Sequence, residues 1–437
     1  MHVAVDIHGL APGGEGVATA GGRTVFVPFT APGDRVEAEV PPGEGPAHAG
    51  LVRLLAPGEA RVDAPCPHFG PARPGGDGGC GGCEWLHVAY GAQLAAKERG
   101  FRARLERLGG FEPGRVDVRP ILASPAPLRY RSRAKFHFDR RAGRLVFFRR
   151  RSHEPVLLGG CHLLEPELDA LREAVGPALQ AARLEPREVA LEWSDHEGRG
   201  AAWLSMAAVT PAVRERAEAL RAALPALAGL VLAAEGGPPA VVGQPVLRHR
   251  RDPGDAAAGL QRSRPDVFRQ ANRGANALLV RAALDLLAPE GLEVLELFCG
   301  AGNFTGPLAR RAAGVAAVEG QGPALELARA DLSGAEGGST TRFFAGDALK
   351  LALALAREGR RFGAVLLDPP REGARGIGPA LRELRVPRAV YVSCDPATLA
   401  RDLGACAAAG YRLEAVQPVD MFPQTHHVEG VALLVKG

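Results

Sequence analysis

The sequence predicts a multidomain α/β protein with a small β-rich unit at its start and a doubly wound, Rossmann-like unit at its end. The chain has 437 residues, which is too long for one hydrophobic core. Short strand patterns separated by glycine and proline fill its beginning, whereas apolar strand patterns alternate with helical patterns toward its end. We therefore expect three domains, at residues 1–60, 61–264 and 265–437.

The composition is ordinary for a globular protein, with 46% hydrophobic and 23% charged residues. The net charge is only +4, so any surface that binds a polyanion must be local. The sequence shows neither a signal peptide nor an apolar run long enough to span a bilayer. We expect a cytoplasmic protein without membrane contact or an obligate protein partner, and in that compartment the seven cysteines favour metal binding or catalysis over disulfides.

Four short β patterns with turn signals between them make up the N-terminal unit. They cover Val3–Ile7, Gly16–Thr19, Thr24–Val27 and Arg35–Val40. Strands of this length and spacing are typical of a small barrel. The stretch Phe26–Val36 (FVPFTAPGDRV) resembles the TRAM domain, which implies an OB-like, RNA-binding barrel at residues 1–60.

Four cysteines of the central unit have the number and chemistry of a complete ligand set. They are Cys66, Cys80, Cys83 and Cys161. Four thiolates bind either zinc or an iron–sulfur cluster, and the spacing alone does not distinguish the two. The alternative is a set of unrelated buried cysteines.

A strand pattern with basic residues on one face follows in the same unit. The helix and strand patterns of this unit predict an α+β domain. The side chains on one face of this strand are Arg129, Arg131, Arg133, Lys135 and His137. Basic stripes of this kind track nucleic-acid phosphates, although a solvated strand face has the same pattern. Residues 165–261 contain helix and strand patterns without a recognisable chemistry.

Strand ends in the C-terminal unit carry glycine or carboxylate residues. The apolar run Glu293–Phe298 leads into a Gly-x-Gly turn at Gly300 and then a helix, which is the nucleotide-binding turn of doubly wound folds. Glu319 ends the next strand pattern, where a carboxylate would hold ribose hydroxyls. Asp347 and Asp368 end the following two patterns. These four ends fit the S-adenosylmethionine pocket of a class I methyltransferase.

A nicotinamide-dependent dehydrogenase is the alternative for the first two of those strand ends. It does not explain the Asp-Pro-Pro-Arg sequence that begins at Asp368, or the two motifs that follow it.

The first of these motifs places Cys394 between a strand pattern and a helix. Asp395 is a good helix N-cap and Pro396 a good first helical residue. The dipole of a helix that begins beside the thiol would favour the nucleophilic thiolate. A small core cysteine is the alternative. The second motif ends in Glu429, just before the last apolar strand, where a carboxylate could act as a base.

Taken together, the chain resembles the RNA uracil-5 methyltransferase family. The stretches that carry the resemblance span most of the chain: the TRAM-like segment, Cys-Pro-His-Phe with Cys-Gly-Gly-Cys, Phe-Cys-Gly-x-Gly-Asn-Phe, Asp-Pro-Pro-Arg, Ser-Cys-Asp-Pro-x-Thr-Leu-Ala-Arg-Asp and Asp-Met-Phe-Pro-x-Thr-x-His-Val-Glu. The TRAM-like and cysteine parts are similar to the 23S ribosomal RNA branch. One departure is the Gly/Pro-rich insertion 70–79 between the first two cluster cysteines.

The resemblance implies an enzyme that methylates carbon 5 of a uridine in 23S rRNA with S-adenosyl-L-methionine. Cys394 would be the nucleophile and Glu429 the base. The residues implied for the donor and base pocket are Gln270, Phe298, Gly300, Asn303, Glu319, Asp347 and Asp368. Those implied for a 4Fe–4S cluster are Cys66, Cys80, Cys83 and Cys161.

Three alternatives to this function stay open at the level of sequence. A tRNA uridine-5 methyltransferase would use the same catalytic motifs. An exocyclic-amine methyltransferase also uses an Asp-Pro-Pro-like loop, but it has no nucleophilic cysteine, so Cys394 argues against it. A non-catalytic iron–sulfur RNA-binding protein would not need intact donor and catalytic motifs.

Overall fold

The computed structural model of the chain describes residues 1–72, 78–112, 114–332 and 340–437. Seven short strands come first: β1 (His2–Asp6), β2 (Gly9–Leu10), β3 (Gly16–Ala20), β4 (Arg23–Val27), β5 (Arg35–Glu39), β6 (Ala47–His48) and β7 (Gly50–Ala56). They form two sheets, in the orders β1-β5-β7 and β2-β3-β4-β6. Small and β-branched side chains, among them Val25, Val27 and Val36, fill one shared core, as the alternating pattern predicts.

A seven-stranded sheet forms the middle of the chain. Helix α1 (Tyr90–Gly109) and strand β8 (Asp117–Val118) precede it, and its own elements are β9 (Arg133–Asp139), β10 (Arg144–Phe148), β11 (Pro155–Val156), α2 (Pro166–Ala181), β12 (Glu188–Ser194), β13 (Arg199–Met206), α3 (Pro211–Ala223), β14 (Leu227–Ala234) and β15 (Ala240–Gly243). The strand order is β11-β10-β9-β12-β13-β14-β15. The apolar faces of α2 and α3 pack on this sheet. A hairpin of β16 (Leu247–Asp252) and β17 (Asp255–Ser263) follows.

The C-terminal part is a doubly wound sheet. Its elements are α4 (Arg273–Leu287), β18 (Glu293–Leu297), α5 (Thr305–Arg311), β19 (Gly314–Glu319), α6 (Gly322–Leu332), β20 (Thr340–Ala345), α7 (Ala348–Arg357), β21 (Ala364–Leu367), α8 (Ile377–Leu384), β22 (Arg388–Ser393), α9 (Pro396–Ala408), β23 (Tyr411–Val419) and β24 (Glu429–Lys436). The strand order is β20-β19-β18-β21-β22-β24-β23-β8.

The chain reverses its direction of winding at β18 in this sheet. Strands β19 and β21 both pair with β18 in parallel, one on each side. In such sheets ligands bind beyond the carboxyl ends of the strands at the reversal point. The C-terminal edge differs, because β24 runs antiparallel to both β22 and β23. The pairing of β22 with β24 ends at Ser393 opposite Gly430.

Helix α1 and strand β8 pack on this C-terminal sheet. Phe101 and Leu105 of α1 share a core with Leu399 and Leu403 of α9. Strand β8 extends the sheet by pairing with β23 in parallel. The predicted domain bounds themselves stay a prediction. Within the described ranges, no helix is both long and apolar enough to cross a membrane.

Candidate active site

The glycine turn after β18 is built for close approach of a ligand to the backbone. Gly300 and Gly302 have φ values of 55° and 83°, and Ala301 between them is buried. Phe298 has φ 61°, which is unusual for a residue with a side chain and is the kind of local strain that clusters at functional sites. The N–H of Gly300 donates to the carboxylate of Glu319 at 2.8 Å, so the turn and the end of β19 are joined directly.

Asn303 and Asp347 hold neighbouring elements at the same edge of the sheet. The side-chain amide of Asn303 exchanges two hydrogen bonds with the amide of Asn276 in α4, at 2.9 and 3.0 Å. Asp347 caps α7 by accepting from the N–H of Lys350 at 2.8 Å. The N–H of Gly346 donates to the Glu319 carbonyl at 2.9 Å, which draws the ends of β19 and β20 together.

Gln270 lies on an extended segment beside this turn. Val267 of that segment packs against Ala301 of the glycine turn. Gln270 is buried, and its Oε1 accepts no hydrogen bond from any described residue. A buried acceptor without a partner is uncommon and indicates a place for a ligand donor or water.

Two residues beside this pocket were missed by sequence analysis. Glu296 of β18 is fully buried, and neither carboxylate oxygen has a hydrogen-bond partner among the described residues. Burial, with the neighbouring Asp368 and Glu319, raises the pKa of Glu296 to about 8. A carboxylate within the apolar run Val-Leu-Glu-Leu-Phe was the available signal.

The other missed residue is Arg251 of the β16–β17 hairpin, which is hydrogen-bonded to the glycine turn. Its Nη1 donates to the Gly302 carbonyl at 2.8 Å, and its Nη2 donates to Asp331 of α6 at 3.2 Å. Burial lowers the pKa of Arg251 to about 10. No sequence signal links the hairpin to a turn fifty residues later, so only the fold reveals this contact.

Cys394 lies where the sequence predicts, between β22 and α9, with part of its surface exposed. Asp395 caps the helix by accepting from the N–H groups of Ala397 and Thr398 at 3.0 and 2.9 Å. Partial burial, together with the carboxylates of Glu429, Asp368 and Asp395, raises the pKa of Cys394 to about 11, opposite to the direction in which the helix dipole acts.

Glu429 begins β24, the strand paired with the end of β22. Because Ser393 lies opposite Gly430, the antiparallel ladder brings Glu429 beside Cys394. Glu429 is 2% exposed, and burial together with Asp368 raises its pKa to about 8. Burial likewise raises the pKa of Asp368 to about 7. The structure thus groups a thiol and two weak acids at the ends of adjacent strands.

The four candidate cluster cysteines share one cavity. Cys66, Cys80, Cys83 and Cys161 are free thiols and line a cavity of about 140 Å³ together with apolar side chains. Burial, followed by the charge of the neighbouring thiols, raises the pKa of Cys83 well above its ordinary value. In the described part of the chain, no group of three or more His, Cys, Asp or Glu residues is arranged to hold a single metal ion. Residues 73–77 of the insertion beside the site lie outside the described residues.

Only part of the predicted basic strand is directed inward, because β9 begins at Arg133 and Lys135 on the same face is exposed. Arg133 is half-buried and donates to the backbone carbonyls of Pro265 and Val267, on the segment that carries Gln270. Arg131 lines the cysteine cavity, with its guanidinium 5.4 Å from the ring centroid of Phe422. These two arginines therefore fix protein segments and do not form a phosphate-facing stripe.

Two family models match the chain. The model described as tRNA (uracil-5-)-methyltransferase matches residues 257–437. The model described as the TRAM domain of tRNA (uracil(54)-C(5))-methyltransferase matches residues 3–40. The second match confirms the predicted N-terminal TRAM barrel.

Named relatives are similar over nearly the whole chain. The 23S rRNA (uracil(1939)-C(5))-methyltransferase RlmD of Pseudomonas aeruginosa is 37% identical over 436 residues, which cover 99% of this chain and 93% of that protein. The protein of the same name from Alkalilimnicola ehrlichii is 36% identical over 440 residues, covering 98% of this chain and 95% of that protein.

One solved structure matches throughout. It is the tRNA (uracil-54, C5)-methyltransferase of Pyrococcus abyssi in complex with S-adenosyl-L-homocysteine, with a TM-score of 0.73, 23% identity and 99% coverage of both chains. This likeness confirms the predicted multidomain α/β fold with a C-terminal methyltransferase domain.

Proposed function

This chain belongs to the RNA (uracil-5-)-methyltransferase family, and on that premise we propose that it methylates carbon 5 of a uridine in 23S rRNA with S-adenosyl-L-methionine as donor. The grouping of Cys394 with Glu429 at paired strand ends carries the proposal. The names and full-length similarity of the rRNA-modifying relatives support the substrate. An RNA of this kind would place the reaction in the cytoplasm.

We assign the donor pocket to the turn and strand ends around Gly300. Glu319 would accept from the ribose hydroxyls, the role that a carboxylate at this strand end has in doubly wound folds. The partnerless carboxylate of Glu296 and the partnerless Oε1 of Gln270 offer acceptors to polar groups of the donor or base. Phe298, Asn303, Asp347 and Asp368 complete the assigned pocket.

Carbon 5 of uracil is a poor nucleophile by itself. The methylation therefore needs a nucleophile from the protein that activates the ring. The Sγ of Cys394 gives up its proton to solvent and forms a bond to carbon 6, while the carbon 5–carbon 6 π electrons move into an enolate whose carbon 5 is nucleophilic. The donor supplies an electrophilic methyl group on a sulfonium. Carbon 5 takes that methyl group, and S-adenosyl-L-homocysteine leaves.

Product release requires a base. Glu429 removes the proton from carbon 5, and the electron pair of that bond expels the Cys394 thiolate from carbon 6. A carboxyl with a pKa of about 8 suits this work near neutral pH better than an ordinary carboxylate would. The uridine must reach these side chains unstacked, which favours single-stranded or remodelled RNA.

A trapping experiment tests the reaction class. 23S rRNA that contains 5-fluorouridine is incubated with protein and S-adenosyl-L-methionine, then resolved on a denaturing gel and digested for mass spectrometry. Because fluorine cannot leave as a proton does, we expect a covalent adduct at Cys394. The Cys394→Ala variant should give none, whereas Cys406→Ala, in the helix that follows Cys394, should behave like the wild type. Methylation of normal RNA without an adduct would overturn the mechanism.

The same experiment addresses tRNA as the second candidate substrate. The family model that matches residues 257–437 is described as tRNA (uracil-5-)-methyltransferase, which is a reason to test tRNA as a substrate. Fluorinated tRNA and fluorinated 23S rRNA offered together should yield an adduct with the rRNA if the proposed substrate is right. An adduct with tRNA alone would replace it.

We propose, in addition, that Cys66, Cys80, Cys83 and Cys161 hold a 4Fe–4S cluster. Four free thiols around one cavity support this assignment, because such clusters are bound by four cysteine thiolates. Anaerobically purified protein should contain iron and sulfide. The Cys161→Ser variant should lose them, and Cys406→Ser should retain them. Zinc, or no metal, in the wild type would overturn the cluster.

A further inference from the structure

Gln424 occupies the middle of the loop 420–428, which joins β23 to β24 and ends at Glu429. It is buried and has φ 69°, in the left-handed region that a residue with a side chain rarely adopts. Such a conformation costs free energy and persists only where surrounding contacts fix it. The contacts that fix Gln424 therefore indicate what the loop is fastened to.

Every polar group of Gln424 is hydrogen-bonded. Its carbonyl accepts from the N–H groups of Glu84 and Trp85, both at 3.0 Å. Its N–H donates to Oε1 of Gln93 at 2.9 Å, and Nε2 of Gln93 donates to Oε1 of Gln424 at 2.9 Å. Its own Nε2 donates to the Pro127 carbonyl at 3.2 Å. A fully satisfied buried network of this kind holds one geometry.

These hydrogen bonds fasten the loop to the segment that follows Cys83. Glu84 also accepts from the N–H of His426 at 3.3 Å, so two residues of the loop are held by the same short segment. The loop is closed at its ends by the pairing of Val419 with Glu429. A shift of Gln424 is therefore transmitted to Glu429 through only four intervening residues.

A second set of contacts joins the same loop to the cysteine cavity. The hydroxyl of Tyr130 donates to the Pro423 carbonyl at 3.0 Å. Arg131, which lines the cavity, lies with its guanidinium 5.4 Å from the ring centroid of Phe422. The loop thus contacts the segment after Cys83, the segment 130–131 and helix α1, whose Lys97 donates to the Phe422 carbonyl at 3.0 Å.

We propose that Gln424 is a positioning residue for Glu429, and that it ties the placement of the base to the folded segment after Cys83. The proposal rests on the proposed function, because it takes Glu429 to be the base. The proposal predicts different effects on the two chemical stages. Addition of Cys394 to the uracil does not depend on Gln424, whereas removal of the carbon 5 proton and release of the RNA do.

The variant that tests the proposal is Gln424→Gly. Glycine adopts φ 69° without strain, so the substitution removes the side-chain hydrogen bonds to Gln93 and Pro127 but keeps the backbone ones and the turn. With normal RNA and radiolabelled S-adenosyl-L-methionine, we expect release to slow by about tenfold, part of the ~10²–10⁴-fold that a positioned base contributes. Methylated RNA bound covalently to protein should accumulate, while the rate of adduct formation stays within about twofold of the wild type, as a role confined to the base requires.

Three further variants make the outcome decisive. Gln93→Leu removes the other half of the amide pair and should reproduce the accumulation. Gln417→Ala removes a buried glutamine of β23 whose amide donates to the Pro120 and Pro418 carbonyls, and it should not cause accumulation. Glu429→Gln should accumulate the adduct most strongly.

The possible results distinguish the positioning role from a purely structural role and from failure of the proposed function. Accumulation in Glu429→Gln but not in Gln424→Gly would overturn the positioning role and leave the proposed function standing. Equal slowing of both stages in Gln424→Gly and Gln417→Ala would show a structural role only, and would also overturn it. Absence of any adduct in Glu429→Gln would instead contradict the proposed function.

Discussion

The hydroxyl of Tyr391 donates a 2.6 Å hydrogen bond to the carboxylate of Asp402. The same carboxylate oxygen accepts from the N–H of Ala374 at 2.9 Å. Tyr391 belongs to β22, Asp402 to α9, and Ala374 to the loop that follows Asp368. One buried carboxylate therefore joins the strand before Cys394, the helix after it and the loop that follows Asp368.

We expect Tyr391→Phe to destabilise the protein and to slow adduct formation. The substitution takes a donor from a buried carboxylate, which costs about 1–3 kcal/mol in the free energy of unfolding. Urea denaturation measures the first effect and rapid quenching with RNA the second. Tyr411→Phe is the matched control, since its buried hydroxyl lies near the Leu381 and Val386 carbonyls, away from the site. It should lose stability yet keep the rate of adduct formation.

We expect Glu429→Gln to be more stable than the wild type at pH 8, and the difference to shrink toward pH 5. The pKa of Glu429 is raised from its ordinary 4.5 to about 8, so the folded state binds this proton more tightly than the unfolded chain. The stability it contributes is fully present below about pH 4.5 and is lost as the pH rises to about 8, by at most about 1.4 kcal/mol per pH unit.

Urea midpoints of both proteins between pH 5 and pH 9 check this dependence. Glu414→Gln, at an exposed position of β23, serves as the control and should follow the wild-type profile. Parallel profiles for the wild type and Glu429→Gln would contradict a raised pKa.

We expect alkylation of Cys394 by iodoacetamide to accelerate continuously with pH from 6 to 9. A thiol with a pKa of about 11 gains thiolate about tenfold per pH unit throughout that range. Mass spectrometry of the peptide that contains Cys394 follows the reaction site by site. In Glu429→Gln the curve should move to lower pH, because a neighbouring negative charge is removed. A plateau already reached near pH 7 would instead indicate the low-pKa thiolate that the helix dipole alone suggests.

We expect Arg251→Lys to weaken donor binding about tenfold, which corresponds to about 1.4 kcal/mol. Lysine keeps the charge but cannot bond Gly302 and Asp331 at once, so the glycine turn loses its support. Isothermal titration with S-adenosyl-L-methionine measures the effect. Arg262→Lys is the control, because Arg262 also bonds Asp331, at 2.9 Å, but makes no hydrogen bond to the turn. Equal losses in both variants would assign the effect to Asp331 alone.

Local signals were enough to predict the surroundings of the nucleophile. The β-branched run before Cys394 forms β22, and Asp395 caps α9 as its residue type predicts. Neighbours along the chain decide both features. The state of the thiol could not be predicted in this way, because the carboxylates of Asp368 and Glu429 reach it through the order of strands in the sheet.

Long-range packing explains the other differences. The alternation around Arg133 correctly indicates a strand, yet a sequence pattern does not show that the segment 265–267 lies over its basic face. Likewise α1 is recognisable as a helix, whereas its docking on α9 depends on contacts between residues some three hundred positions apart. The burial of Glu296 and Arg251 could not be predicted from the sequence either, because it results from contacts that form when the sheet is assembled.

The ladder that ends with Ser393 opposite Gly430 also has an evolutionary consequence. Backbone pairing sets the register of Cys394 and Glu429, whereas the loop that precedes Glu429 is also held by the segment after Cys83. The pairing can therefore persist while the other domains diverge, as long as that segment keeps its contacts with the loop. A chimera that exchanges the barrel but keeps the segment after Cys83 should retain the arrangement of Cys394 and Glu429.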